Sequence, residues 1–167
     1  MYGQLSSLLT YGRIVHYNPV SLNPAMRNYT IFIDAISKVF AATGVRVGWS
    51  AGPVEIIDKM KSFMTHLGSW APMAEQKAVA RYLTQTEQID IYLTNFKKEL
   101  EIRLTGLYDG VQQLKSEGYQ VDAVAPQGAI YLTVQFNFSG KKTTAGKTLE
   151  KQADVTQYLL DEARLAV

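Results

Sequence analysis

Within residues 34–49 two basic side chains, Lys38 and Arg46, stand eight residues apart, and glycines at 44 and 48 flank the second. Lys38 follows a short β-branched and aromatic run, residues 29–33, that reads as a buried strand. An amine held there among small and apolar neighbours is desolvated, which favours its neutral, nucleophilic form. The guanidinium of Arg46 is a rigid fork that matches a phosphate dianion. Glycine permits a tight turn and close approach of backbone to a ligand. An amine nucleophile and a phosphate fork on adjacent strands are what an aldehyde cofactor bearing a phosphate requires. Taken alone, each residue has a plainer reading, a solvated lysine and a surface ion-pair arginine.

Strands and helices must hold these groups. Residues 2–28 are rich in Gly, Ser, Asn and Pro, and Asn18-Pro19 and Asn23-Pro24 favour turns, so little regular structure is expected there. After the strand at 29–33 comes a loop or short helix at 37–44, then a strand at 45–51. Pro53 suits the first position of a helix whose apolar face carries Val54, Ile57, Met60, Met64 and Leu67, with Gly68 as its stop. The Met60 and Met64 pair reads as core. Pro72 opens a helix to about Leu83. A long helix from about Thr86 to Gly118 carries a stripe that includes Ile89, Tyr92, Phe96, Leu104 and Leu114. Strands are expected at 121–124 and 130–138, a turn at Pro126-Gln127-Gly128, and a last helix at 151–164. Strands alternating with helices give an α/β class.

Composition narrows the function. The chain has 167 residues, 47% of them apolar, with ten Tyr, six Phe and two Trp, which suits a folded domain rather than a disordered segment. A net charge of +2 without a basic run argues against nucleic acid. No cysteine is present, so disulfides, cysteine-type zinc sites and thiol nucleophiles are out. No apolar run reaches the ~18 residues of a membrane helix, and no signal pattern opens the chain. These features lead us to expect a cytoplasmic location with no membrane partner. His16 and His66 lack neighbours at metal-ligand spacing, so no metal is expected. The Gly140-Lys141-Lys142-Thr143-Thr144 run lacks the upstream glycine of a phosphate loop and reads as a solvated hairpin loop. Both ends read as cut, and the last residues resemble the start of a strand. A piece of a longer polypeptide is expected.

The pattern Ser37-Lys38-x-Phe40-x-x-x-Gly44-x-Arg46-x-Gly48 resembles the cofactor-lysine signature of class I and II aminotransferases. Six such positions coincide by chance about once in 10⁷ starts at typical residue usage. Trp49-Ser50-Ala51-Gly52-Pro53, Pro126-Gln127-Gly128-Ala129-Ile130-Tyr131 and the run from Leu159 to Val167 resemble further family segments. The resemblance covers nearly the whole chain and is closest to aspartate or aromatic aminotransferases. It implies a fold type I pyridoxal-phosphate enzyme. Residues 1–85 would be part of the large cofactor domain, 86–118 a connecting helix, and 119–167 part of the small α+β domain.

Carried over, Lys38 forms the Schiff base with pyridoxal phosphate and then shuttles the substrate proton. Arg46 binds the cofactor phosphate, Ser37 orders the phosphate loop, and Tyr2 hydrogen-bonds the cofactor's phenolic oxygen. Ala35 departs from the pattern, because many members have a hydroxyl there. The aspartate under the pyridine nitrogen, the ring-stacking aromatic and the Gly-rich phosphate loop would lie upstream of Met1. The arginine for the substrate carboxylate would lie beyond Val167, so the piece alone is expected to be inactive. The implied activity is transfer of an amino group between a dicarboxylic or aromatic amino acid and a 2-oxo acid, in a homodimer. Trp70, in a Gly-, Ser- and Pro-rich stretch, is either an interface anchor or a plug in its own core. Two alternatives stand beside this reading. One is another fold type I reaction, as in a lyase, a decarboxylase or an aminocyclopropane-carboxylate synthase. The other is a non-catalytic interaction module.

Overall fold

The computed structural model describes residues 2–3 and 8–167. The chain divides into two compact units, Met1–Arg103 with Pro126–Tyr131, and Leu104–Ala125 with Leu132–Val167.

In the first unit a three-stranded sheet has the order β1-β2-β3. Strand β1 (Tyr2–Gly3) runs parallel to β2 (Phe32–Ala35), with Tyr2 opposite Phe32. Strand β3 (Gly48–Ala51) is antiparallel to β2, in a register that sets Ala35 opposite Gly48 and Phe32 opposite Ala51. Both β2 and β3 begin three residues later than the β-branched runs suggest. For β2 the reason lies in the Asn-Pro pairs, which act as helix caps. Asn18 Oδ1 accepts the Ser21 N–H at 2.9 Å and Pro19 opens α1 (Pro19–Leu22). Asn23 Oδ1 accepts the Ala25 N–H at 3.0 Å, and Pro24 opens a 3₁₀ turn over Pro24–Tyr29. The stretch expected to be irregular therefore carries two helical turns, and Tyr29 ends the second instead of starting a strand.

Helix α2 (Ile36–Val39) follows β2 directly. Helix α3 (Val54–Leu67) has Pro53 as its N-cap, one position earlier than expected, and Gly68 ends it in the left-handed conformation at φ 63°. Its expected apolar face is not buried within this chain. Ile57 and Met60 are half-buried, while Val54, Met64 and Leu67 are exposed, so Met64 is not core. Helix α4 (Met73–Tyr82) packs Val79 against Ile36 and Val47, and Phe40, Ala42, Val45 and Ala71 surround this core. Helix α5 (Thr86–Ser116) matches its expected length to within two residues. Its stripe is uneven, with Ile89 and Leu104 buried but Leu107 60% exposed.

In the second unit β4 (Val121–Ala123) pairs antiparallel with β5 (Val134–Phe136). Helix α6 (Gln152–Ala163) lays Val155 and Leu159 with Leu149 against Phe136, Phe138 and Tyr158. Strand β5 has three residues where alternation suggested nine. Residues Pro126–Tyr131, which hold the expected turn and the expected start of this strand, are engaged elsewhere: Gly128 bridges Thr10, the Ala129 N–H donates to Leu9 O at 2.7 Å, and the Tyr11 N–H donates to Gln127 O at 3.1 Å. The Tyr11 hydroxyl also donates to the Ala129 carbonyl. The polar loop at 139–147 turns back through a Lys142–Thr148 bridge, as a solvated hairpin loop would. Residues 165–167 form no strand among the described residues. No helix among the described residues is long and apolar enough to cross a membrane.

Candidate cofactor site

The connection from β2 to β3 holds the candidate residues. In α2 the side chains of Ile36 and Val39 are 4% and 2% exposed, so this single turn is pinned by its apolar residues. Ser37 and Lys38, between those anchors, are half-buried. The Ile36 N–H donates to Val47 O at 3.4 Å, which ties the start of the turn to the strand that returns. The Ala41 N–H donates to Lys38 O at 3.2 Å. Among the described residues the Lys38 amine has no hydrogen-bond or ion-pair partner, whereas Lys115 and Lys147 are paired with Asp122 and Asp154. A half-buried amine without a carboxylate partner is open to an electrophile.

The turn that follows holds its shape with two strained residues. Ala41 and Arg46 sit at φ 49° and 59°, in the left-handed region, where a residue with a Cβ loses roughly 1–2 kcal/mol. Gly44 is not the residue that takes the left-handed turn: its φ is not in that region and a Cβ there would meet open space. Gly48 has a different reason to be glycine. A Cβ on it would lie 3.0 Å from Asp34 O and 3.2 Å from the Ala35 Cβ, across the β2–β3 pair. The same crowding bears on Ala35, whose small side chain faces the Gly48 backbone.

Arg46 lies two residues before β3, not within it, because residues 43–45 form a 3₁₀ turn. Its side chain is exposed, and Nη1 donates to Thr43 O at 2.9 Å. That bond fixes the guanidinium through one nitrogen, and no acidic side chain among the described residues is paired with it. The chain thus places Lys38, Ser37 and Arg46 on one connection of 12 residues, 36–47, between neighbouring strands. Tyr2 lies on β1, beside β2 in the sheet, and its side chain lies outside the described residues.

Sequence reasoning passed over Asp34. Its carboxyl is pushed above the usual carboxylate value by burial, and the Ala35 N–H donated to Oδ1 at 2.8 Å opposes that shift. It borders a cavity of about 220 Å³ with Val39, Phe40, Trp49 and Ile89. The available signal was a carboxylate directly after the β-branched run and four residues before the lysine.

The family model for aminotransferase class I and II matches residues 9–167. The chain belongs to that family. It is 30% identical over 161 residues to an aspartate aminotransferase of Geobacillus stearothermophilus, covering 95% of this chain and 38% of that protein. It is 29% identical over 160 residues to a probable aspartate/prephenate aminotransferase of Rhizobium leguminosarum bv. phaseoli, again across 95% of this chain and 38% of the relative. The crystal structure of an aspartate aminotransferase from Rhizobium meliloti superimposes with a TM-score of 0.84 at 25% identity, covering 98% of this chain and 40% of that one. The chain therefore has part of the α/β architecture of fold type I aminotransferases. It spans about two fifths of the length of the relatives it matches.

Proposed function

We propose that the chain is the lysine-bearing part of a pyridoxal-phosphate-dependent aminotransferase that moves an amino group between an amino acid and a 2-oxo acid. The observation that carries this reading is the half-buried, unpartnered Lys38 on a pinned turn, with Arg46 at the other end of the same connection. The residues present fit the cofactor: an amine for its aldehyde, and a guanidinium held by Thr43 O with donors left for its phosphate. When bound, pyridoxal phosphate supplies an electrophilic carbonyl carbon and a ring that takes up the electrons of a substrate carbanion.

The roles of the chain's own residues follow. Lys38 Nζ would hold the cofactor at its aldehyde carbon until the amino group of the substrate takes that place. Once released, Nζ would take the proton from the substrate Cα and return it to the cofactor carbon that had carried the aldehyde. Arg46 anchors the phosphate end, so the reacting carbon stays near Lys38 through both halves of the reaction. Ser37 supplies a hydroxyl beside the lysine for the phosphate contact, and Tyr2, on the neighbouring strand, supplies a phenol to the ring oxygen. The likeness to aspartate and aspartate/prephenate aminotransferases supports a dicarboxylic substrate such as aspartate. Trp70 is 59% exposed in this chain, which leaves its ring available as an aromatic anchor in a homodimer.

The test is turnover by the full-length protein that carries this chain. Given pyridoxal phosphate, aspartate and a 2-oxo acid, it should form the amino acid of the acceptor with ping-pong kinetics, and Lys38→Ala should abolish this. Product formed from the amino acid alone, with no need for the acceptor, would instead mark a lyase or decarboxylase on the same scaffold.

A further inference from the structure

We propose that Tyr92, on α5, is a positioning residue for Lys38, acting through the ring of Phe40. This rests on the role of Lys38 proposed above. Helix α2 has four residues, and a helix that short has no stability of its own. Its N-cap, Ala35, offers no side-chain acceptor. The direction of Lys38 is therefore set by what packs on either side of it.

On one side Ile36 and Val39 are buried. On the other, the Phe40 N–H donates to Ile36 O at 3.1 Å and closes the turn, and the next residue, Ala41, is in the strained left-handed region. A strained backbone persists only where its surroundings hold it. Beyond the core of Ile36, Val47 and Val79, the holding contacts are aromatic. Phe40 meets Tyr82 edge-on, with centroids 5.4 Å apart and planes at 84°. It stacks on Tyr92 at 6.1 Å and 27°, and Tyr92 stacks on Phe96 at 5.4 Å and 22°. Both arrangements are favoured ring geometries.

Phe40 also borders two cavities, of about 220 and 290 Å³. Its ring packs on one side against the Ile36, Val47 and Val79 core and is not closely confined on the others, where the two tyrosines hold it. Take the Tyr92 ring away and Phe40 has free space to enter. The backbone that carries Lys38, two residues earlier, would follow. Burial and the neighbouring Tyr82 push the Tyr92 phenol above its usual value, so the ring remains neutral in this setting.

The experiment compares two forms of the cofactor in the full-length protein. Pyridoxal phosphate reacts with Lys38, and borohydride traps the product. Pyridoxamine phosphate has no aldehyde, so its affinity reports the phosphate and ring contacts without the lysine. Tyr92→Leu should slow trapping at Lys38 about tenfold, because small misplacements of a reacting group are costly, while pyridoxamine phosphate affinity stays within about twofold. Tyr92→Phe, which keeps the ring, should restore the wild-type rate. Phe40→Leu removes both ring contacts, carries the same expectation, and serves if Tyr92→Leu does not fold. Unchanged trapping in a folded variant overturns the inference. So does an equal loss of both ligands, which would make the ring ladder general packing. Wild-type protein that binds pyridoxamine phosphate but gives no trapped Lys38 would instead overturn the reading of the lysine, and this inference with it.

Discussion

Substitution of Gly128 by alanine probes the joint between residues 9–11 and the 126–131 segment. An added Cβ would lie 2.7 Å from Leu9 O, with Thr10 Cα at 3.6 Å. Leu9 is fully buried, and the obstructing atom is backbone, so no flexible side chain can swing aside. The same carbonyl accepts the Ala129 N–H at 2.7 Å. Relieving the clash means separating the two segments, which loses that bond, worth about 1 kcal/mol. Overpacking strain adds about 1–3 kcal/mol. Alanine returns about 0.5–1 kcal/mol by restricting the unfolded chain. The net expectation is a destabilisation of about 1–3 kcal/mol, read from urea unfolding midpoints at unchanged slope. Gly44→Ala is the control, since nothing lies within 4 Å of its Cβ and its φ is not left-handed. It should be neutral or slightly stabilising. A Gly128→Ala protein within about 0.5 kcal/mol of wild type would refute the steric argument, since ordinary surface changes are that small.

Arg46→Ala should weaken pyridoxal phosphate binding about 10- to 150-fold, the equivalent of one charge-assisted bond of ~1.5–3 kcal/mol. Fluorescence titration measures it, and an unchanged affinity would put the phosphate elsewhere. Two carboxylates should give opposite pH signatures in unfolding. Asp34 is raised above 3.8, so the folded state holds its proton more tightly and stability is lost as pH rises through that range. Asp34→Asn, which keeps an acceptor for the Ala35 N–H, should therefore be the more stable protein at neutral pH, with the gap closing below pH 3.8. Asp122 is lowered to about 2 by hydrogen bonds from Lys115, Gln112 and the Ala123 N–H. Its contribution is present above pH 3.8 and lost as pH falls through about 2, so Asp122→Asn should be less stable at neutral pH and converge with wild type near pH 2. Sedimentation of the full-length protein should show a homodimer, and an active monomer at micromolar concentration would remove the interface role proposed for Trp70.

The helices were legible because their punctuation is local. Pro53, Gly68 and Pro72 mark boundaries whatever the rest of the chain does, and the long stripe from Ile89 onward reads without tertiary context. The strands were less so. The run at 29–33 has strong β propensity, yet the Asn23-Pro24 cap, whose 3₁₀ turn includes Tyr29, took its first residue. The stretch beginning at Ile130 alternates like a strand, but contacts 118 residues away in sequence, from Tyr11 to Ala129, hold its start in another role. Of the proposed site, type and spacing single out Lys38 and Arg46, and the family resemblance adds Ser37. The left-handed backbone at Ala41 and Arg46 was not legible, because neither residue type announces it. Asp34 went unread for a related reason: a lone carboxylate acquires meaning only through the burial that the fold imposes.

The most direct test of the central claim is covalent mapping of the cofactor. The full-length protein, loaded with pyridoxal phosphate and reduced with borohydride, should yield one pyridoxyl-labelled peptide with the label on Lys38. A label on Lys59 or Lys61 of α3, or none in a protein that retains the cofactor, would contradict it.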